Sequence, residues 1–326
     1  MNYQNPNDAL RQEATAFDTQ IEERVANGHI PDLRLAEPCD YFKNNSWRRP
    51  EFVKLDFGEQ CEIIQKSIIN FLARPAREIR ILEVGCGPGY LSLELARCGF
   101  NVTGLDISAG CVAIATRYAD QDPWKSQRGS LEYIVGDFNT LGILKEESFD
   151  VVVFLGALHH FPDQSATLER AKLLMRTGGL VIAHEPVRDR MTRGNAAFVL
   201  LLSTLLSLSG KFYKSYEPST DRSQLLAAVE DLYEGLRYED GKGGKTQSVN
   251  DNEAGYTQMY PELCRLFRQE LFQWRYAFFH EVIGGLRFSE EDNAQAAQFL
   301  REMDRILVET GALSATEFLF VGRKVS

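Results

Sequence analysis

The sequence has no CxxC pair, no basic run, and no apolar stretch of the roughly 20 residues that a membrane-spanning helix needs. The six cysteines, at 39, 61, 86, 98, 111 and 264, therefore read as free thiols rather than as a disulfide frame or a zinc knuckle. Lysine and arginine number 36 against 46 aspartates and glutamates, a formal net charge of −10. That balance disfavours a protein that grips a phosphate backbone, so no nucleic-acid partner is expected. Histidine is scarce at five residues, and the adjacent pair His159 and His160 has no third ligand at useful spacing, so no metal site is expected. The polar start, MNYQNPNDALRQEATAF, lacks the apolar core of a secretory signal, and a cytoplasmic location is expected. No internal repeat and no low-complexity tract is present.

The pattern from residue 80 is strongly organised. Strand-like runs alternate with amphipathic ones: IRILEVG then LSLELARCG, NVTGLDI then AGCVAIATRYA, LEYIVGD, FDVVVFLGA then ATLERAKLLMR, and GLVIAHEPV. Such alternation predicts a parallel sheet covered on both faces, with ligands beyond the carboxyl ends of its strands. Residues 85–89, 106, 137, 155–160 and 184–186 should then converge. Residues 8–27 and a stretch carrying Cys61, Ile64, Ile68 and Phe71 predict helices before the sheet. After Val187 the alternation stops. Residues 188–254 read as mostly helical, followed by a short helix, a strand (LFQWRYAFFHE), a long helix bearing Ala296, Phe299, Leu300, Met303 and Leu307 on one face, and a last strand, TEFLFVGRK.

The loop ILEVGCGPGY joins the first strand to a helix. Its glycines, Gly85, Gly87 and Gly89, permit close approach of a ligand or simply make a tight turn. Three acids at strand ends favour a ligand, because carboxylates there are costly unless partnered. Glu83 precedes the glycines. Asp106 ends the second strand, where a carboxylate can accept both hydroxyls of a ribose. Asp137 ends the third, where it can accept from an adenine amine while Phe138 packs on the ring.

Taken in order, these motifs resemble the class I S-adenosylmethionine-dependent methyltransferases, in their small-molecule branch, over about residues 75–187. The resemblance implies an α/β fold: a doubly wound, mostly parallel seven-stranded sheet of Rossmann-like type, here with a helical N-terminal extension and a helical insert after the fifth strand. Its implied divisions are an N-terminal cap (1–74), the cofactor-binding core (75–187), a lid or substrate insert (188–254) and a C-terminal completion of the sheet (255–326). It implies S-adenosylmethionine as cofactor, with Gly85, Cys86, Gly87 and Gly89 at its methionine part and Glu83 steadying the loop or the amino group. Asp106 and the following Ile107 would meet the ribose, Asp137 and Phe138 the adenine, and Leu155 and Gly156 would lie along the cofactor. FLFVGRK resembles the family's last, antiparallel strand. Two departures, the insert and a helix between the last two strands, fall on the acceptor side.

Three histidines are candidate general bases. His159 reads as a base or an exposed ring, His160 as a base or a residue positioning the cofactor, and His184 as a base or a packed ring. The fourth strand lacks the Asn/Asp-Pro-Pro-aromatic tetrad that relatives use on DNA bases and glutamine amides. The expected reaction is methyl transfer to O or N of a small molecule such as a natural product, sugar or lipid intermediate. The alternatives are C-methylation of an activated, quinone-like ring, or a cofactor-binding subunit without catalysis. Phe198, Phe212, Tyr213, Tyr216, Tyr233, Tyr238, Tyr256 and Tyr260 read either as a core between lid helices or as the lining of an acceptor pocket. The apolar run 196–210 reads as packing, a membrane-surface helix or a homodimer seam. Residues 188–254 and 1–60, including YFKNNSW, EDGKGGKTQSVNDNEAG and the polar Asp251, Asn252 and Glu253, are expected to cover the site.

Overall fold

The apolar runs of the central strands form where both faces are covered. Ile81, Leu82 and Val84 are fully buried, as are Val151 to Phe154 and Leu180 to Ala183. The computed structural model describes residues 6–26, 50–238 and 255–325. Helix α1 spans Pro6–Ala26, and a π-helical turn, Val53–Gly58, runs into α2, Glu59–Leu72. The alternating unit follows: β1 Arg80–Val84, α3 Tyr90–Arg97, β2 Asn101–Asp106, α4 Ala109–Gln121, β3 Leu131–Val135, β4 Phe149–Leu155, α5 Gln164–Leu174 and β5 Met175–Pro186. Helices α6 (Arg193–Leu208), α7 (Arg222–Leu236) and α8 (Gly255–Leu266) precede β6 (Arg268–Arg275). A short α9 (Phe279–Ile283), the long α10 (Glu290–Glu309) and β7 (Glu317–Arg323) close the chain.

The seven strands form one sheet in the order β3-β2-β1-β4-β5-β7-β6. β1 to β5 pair in parallel, and β7 runs antiparallel to both β5 and β6. The chain order reverses between β1 and β4, so the carboxyl ends of these strands and their neighbours open a crevice for ligands. Side-chain caps fix where the helices start: Ser108, Asp163, Thr192, Asp221 and Ser289 each accept a backbone N–H from the first turn of α4, α5, α6, α7 and α10.

The expected strand LFQWRYAFFHE is corrected in its second half. β6 stops at Arg275, Tyr276 turns with φ 49°, and Phe279 opens α9. The cause is tertiary: Asp304 Oδ2 on α10 accepts the N–H groups of Ala277, Phe278 and Phe279, each at 2.9 Å, and so replaces the ladder bonds of a continued strand. A third apolar core, separate from those on the two faces of the sheet, forms where α6, α9 and α10 meet around Val199, Phe278, Phe279, Val282 and Leu300. Phe198 and Phe212 pack against it, whereas Tyr256 and Tyr260 pack on β6 and β7. No helix among the described residues is long and apolar enough to cross a membrane. The stretch YFKNNSW, residues 239–254 with Asp251, Asn252 and Glu253, and Cys39 lie outside the described residues.

Candidate active site

Two cavities lie at the carboxyl edge of the sheet. The smaller, about 340 Å³, is enclosed by the glycine loop, the ends of β2 and β4 and the loop after β3, with Glu13, Phe17, Gln20 and Ile21 of α1 across it. The larger, about 620 Å³, lies between the π-turn, the ends of β5, β6 and β7, and α9. Phe57, Tyr90, Leu155 and Gly156 line both, so the cavities meet there.

The sequence-expected cofactor residues Glu83, Gly85, Cys86, Gly87, Asp106, Ile107, Asp137, Phe138, Leu155 and Gly156 all line the smaller cavity. Gly89 does not. It precedes α3 with φ 78°, and a Cβ there would stand 2.8 Å from Ala115 Cβ and clash with the Tyr133 ring. Gly89 is thus required by packing. Gly85 is required twice, since it lines the cavity and a Cβ would meet Ala157 Cβ at 2.6 Å. Gly87, with φ 52° and nothing within 4 Å of its absent Cβ, is the glycine with open space beside it.

Hydrogen bonds hold this loop and its acids in place. Asp106 Oδ2 accepts from Gly87 N at 2.7 Å and Oδ1 from Ser108 N at 2.8 Å. Burial nevertheless raises the Asp106 pKa above its ordinary value, against the pull of those N–H groups. Glu83 accepts from the Ser92 hydroxyl. Burial pushes its carboxyl up to about 8; the bond from Ser92 opposes this and the Asp106 charge adds to it. Asp137 accepts from Asn139 N at 3.0 Å and Thr140 Oγ1 at 2.8 Å. Phe138 packs edge-on to Phe154 and Phe161, with centroids 6.2 Å apart in both pairs.

The charge of the smaller cavity is informative. Glu13, Glu83, Asp106 and Asp137 line it, and no lysine or arginine does among the described residues. Its one basic group is His160, 3.3 Å from Glu13 and edge-on to Phe17. Burial and the neighbouring His159 lower the His160 pKa to about 4, so at neutral pH it adds no positive charge. Four carboxylates gathered on one cavity, with no lysine or arginine among its described lining residues, fit a ligand that carries positive charge and hydroxyl donors. They do not fit a pyrophosphate, which the bare strand–glycine–helix pattern would also admit.

The three candidate histidines divide between the cavities. His160 faces the smaller one, while His159 and His184 line the larger. His159 is 3% exposed, which corrects the reading of an exposed ring. Its Nδ1 lies 2.7 Å from Glu185 Oε2, and Glu185 Oε1 accepts the N–H groups of Ala157 and Leu158. Burial pushes the Glu185 carboxyl up to about 7 against those bonds. This buried pair therefore fixes the turn after β4 where the two cavities join.

Sequence reasoning missed the polar row of the larger cavity. His280 lies between two carboxylates, with Nε2 2.7 Å from Asp56 Oδ1 and Nδ1 2.8 Å from Glu317 Oε1. Burial works against its charge, but Asp56 and Glu317 outweigh burial and hold its pKa well above the ordinary value. Below this row, Glu59 receives Arg301 at 2.8 and 2.7 Å, Arg305 at 2.9 Å and Arg275 at 3.1 Å. The available signal was composition: in YAFFHE an aromatic run ends on a histidine and a glutamate without the polar–apolar alternation of a half-buried strand. Of the aromatic residues of the insert named above, Tyr238 lines the larger cavity.

A model of the methyltransferase-domain family matches residues 57–239. Among curated proteins, the chain is similar to the ubiquinone biosynthesis O-methyltransferase of Albidiferax ferrireducens, at 31% identity over 41% of this chain and 49% of that one. It is also similar to the ubiquinone biosynthesis O-methyltransferase of Paramagnetospirillum magneticum, at 38% identity over 33% of this chain and 41% of that one. The matched part is half or less of the length of these two relatives. In fold it is similar to the cyclase SpnF, with TM-score 0.53 and 14% identity over 97% of both chains. It is similar also to a geranyl diphosphate methyltransferase solved with GPP and sinefungin, with TM-score 0.53 and 11% identity over 98% of this chain and all of that one.

Proposed function

Since the chain belongs to the methyltransferase-domain family, we propose that it transfers a methyl group from S-adenosylmethionine to a hydroxyl of a small molecule. The observation that carries this reading is the smaller cavity: four carboxylates and, among the described residues, no lysine or arginine, suited to a ligand with an ammonium and a sulfonium. The naming of the curated relatives as O-methyltransferases favours oxygen as the acceptor atom. The fold alone would not, because a fold hosts many chemistries.

In this reading Glu83 and the loop Gly85–Gly87 hold the amino-acid end of the cofactor. Asp106 accepts the ribose hydroxyls, Asp137 accepts from the adenine amine, and Phe138, Leu155 and Gly156 flank it. Once bound, the sulfonium supplies an electrophilic methyl group and departs as a neutral thioether. The remaining work falls to the protein: to align the acceptor, exclude water and receive a proton. The larger cavity holds the acceptor, because it opens on the cofactor cavity at Phe57, Tyr90, Leu155 and Gly156. Helix α1 closes the cofactor side through Asp18, whose Oδ1 accepts from Ser108 and from Gly110 N. Arg188, Met191, Leu236 and Tyr238 furnish part of the acceptor side.

Calorimetry tests the reading. S-adenosylmethionine is expected to bind at low-micromolar concentration, about −8 kcal/mol, and NADH not at all. Absence of S-adenosylmethionine binding at about millimolar concentration, roughly −4 kcal/mol, would overturn it.

A further inference from the structure

We propose that His184 Nε2 receives the proton of the acceptor, with Glu317 backing it and the Asp56–His280 pair holding Glu317, and that the acceptor is an acidic hydroxyl, a phenol or an enol. The proposal rests on the methyl-transfer reading above and concerns the larger cavity, all four residues of which line it.

The geometry separates the histidines by what their nitrogens can do. Both nitrogens of His280 face carboxylates within hydrogen-bond distance, so its ring is an imidazolium with no lone pair to offer. His159 is tied to Glu185, and His160 sits in the other cavity against Glu13. His184 differs. Its ring is 3% exposed and its Nε2 makes no hydrogen bond. The nearest carboxylate oxygen is Glu317 Oε2, 3.6 Å away, beyond hydrogen-bond reach. A buried ring nitrogen and a carboxylate oxygen at that separation leave room for a bridging hydroxyl that donates to one of them. His184 is also well placed along the chain. It pairs with Leu155 in the sheet, and its carbonyl accepts from Gly156 N at 2.8 Å, so the ring stems from the backbone beside the junction of the cavities.

The groups around the His184 ring set its strength as a base. Burial, then the charges of Arg275 on β6, His280 on α9 and Arg301 on α10, hold its pKa well below the ordinary value. Glu317 on β7 acts in the opposite sense. Arg188 and Glu281 also line the cavity. A neutral, weak base accepts a proton effectively only from an acidic donor, which selects a phenol or enol over an alkyl alcohol. The walls agree with a ring: Phe52, Phe57, Tyr90, Tyr276 and Phe278 line the same space. In the transfer, the acceptor oxygen yields its proton to Nε2 and gains the methyl carbon, while the electron pair of the broken carbon–sulfur bond stays on sulfur. Glu317 stabilises the imidazolium until product leaves, and the proton then passes to water.

The test uses 4-nitrophenol, whose ionisation is visible in its absorbance, added to the full-length protein saturated with S-adenosylhomocysteine, so that no methyl transfer is needed. Bound 4-nitrophenol, whose O–H donates to the uncharged Nε2 beside the Glu317 carboxylate, is expected to ionise about one pH unit higher than in solution. His184→Gln should return the midpoint to its free value, and Glu317→Gln should remove part of the shift. S-adenosylhomocysteine binding, measured first on each preparation, is expected to be unchanged in both variants and reports their folding. Failure of S-adenosylhomocysteine to bind the parent protein overturns this proposal together with the cofactor reading. If it binds, but 4-nitrophenol does not, or the midpoint shift survives His184→Gln, the assignment of His184 alone is overturned.

Discussion

Binding of S-adenosylmethionine at pH 7 should release close to one proton. The source is Glu83, whose buried carboxyl stands at about 8 in the ligand-free protein against an ordinary 4.5. At pH 7 such a group is roughly nine-tenths protonated. A cationic ammonium beside it supplies the missing counter-charge and returns it towards the ordinary range, so about 0.9 proton leaves. The ligand's own α-amino group, with an ordinary pKa of about 7.7–8.0, takes up roughly 0.1 when held as the cation. The net release is about 0.8. Affinity should therefore rise about sixfold per pH unit near pH 7, peak near pH 8, and fall above it as the ligand amine loses its charge. Calorimetry at pH 7 in phosphate and in Tris reads the release directly, from the dependence of the apparent enthalpy on the buffer's heat of ionisation. Glu83→Gln should remove the release, leaving only the small uptake of about 0.1 proton by the ligand amine, and weaken binding. Equal enthalpies in the two buffers, or proton uptake, would refute the electrostatic account of this cavity.

Three further outcomes follow from particular contacts. Asp304→Ala strands three backbone N–H groups, each worth about 1–3 kcal/mol when buried and unpaired. Urea unfolding should show a loss of roughly 3–5 kcal/mol, and a loss below about 1 kcal/mol would mean that α9 has another anchor. Gly89→Ala should lower stability by about 1–3 kcal/mol through overpacking against Tyr133 and Ala115, whereas Gly87→Ala should cost only the strain of a side chain at φ 52°, about 1 kcal/mol, and weaken cofactor binding as well. The reverse pattern in melts and calorimetry would contradict the roles given to these glycines. Burial acts to raise the Glu59 pKa, but Arg301 and Arg275 bring it down to about 2. Its stabilisation is present above pH 4.5 and lost as pH falls from there towards 2. Glu59→Gln should flatten the fall of melting temperature over that window, and an unchanged slope would remove Glu59 from the account.

The parallel core was legible because its inner strands, β2, β1, β4 and β5, are largely buried on both faces. Burial of that kind writes itself as short apolar runs, and a ligand edge writes itself as glycines and acids where the runs end. The smaller cavity was read from those ends alone: Glu83, Asp106, Asp137 and Leu155 come from four segments far apart in sequence and line one space. Gly89, expected at the cofactor from its spacing, does not line that space, since spacing cannot distinguish a glycine beside a ligand from one packed against Tyr133. The larger cavity was legible only in part: Leu155, Gly156, His159, His184 and Tyr238 are sequence candidates that line it, but its polar row was not foreseen. Asp56, His280 and Glu317 come from a π-turn, a short helix and the edge of β7, separated by 224 residues between Asp56 and His280. None belongs to a local motif. The break after Arg275 was equally hidden, since it depends on a carboxylate from α10. Phe17 reads only as a position on an amphipathic helix, and its place with Glu13 over the smaller cavity follows from the docking of α1 on α4 by Asp18.

The most direct test of the central claim is a crystal structure of the full-length protein with S-adenosylhomocysteine. The account predicts the ligand in the smaller cavity, with its ammonium at Glu83, its ribose hydroxyls at Asp106 and its adenine amine at Asp137, and its sulfur directed towards the junction at Tyr90 and Gly156. A ligand seated elsewhere, or seated there with the sulfur turned away from the larger cavity, would contradict it.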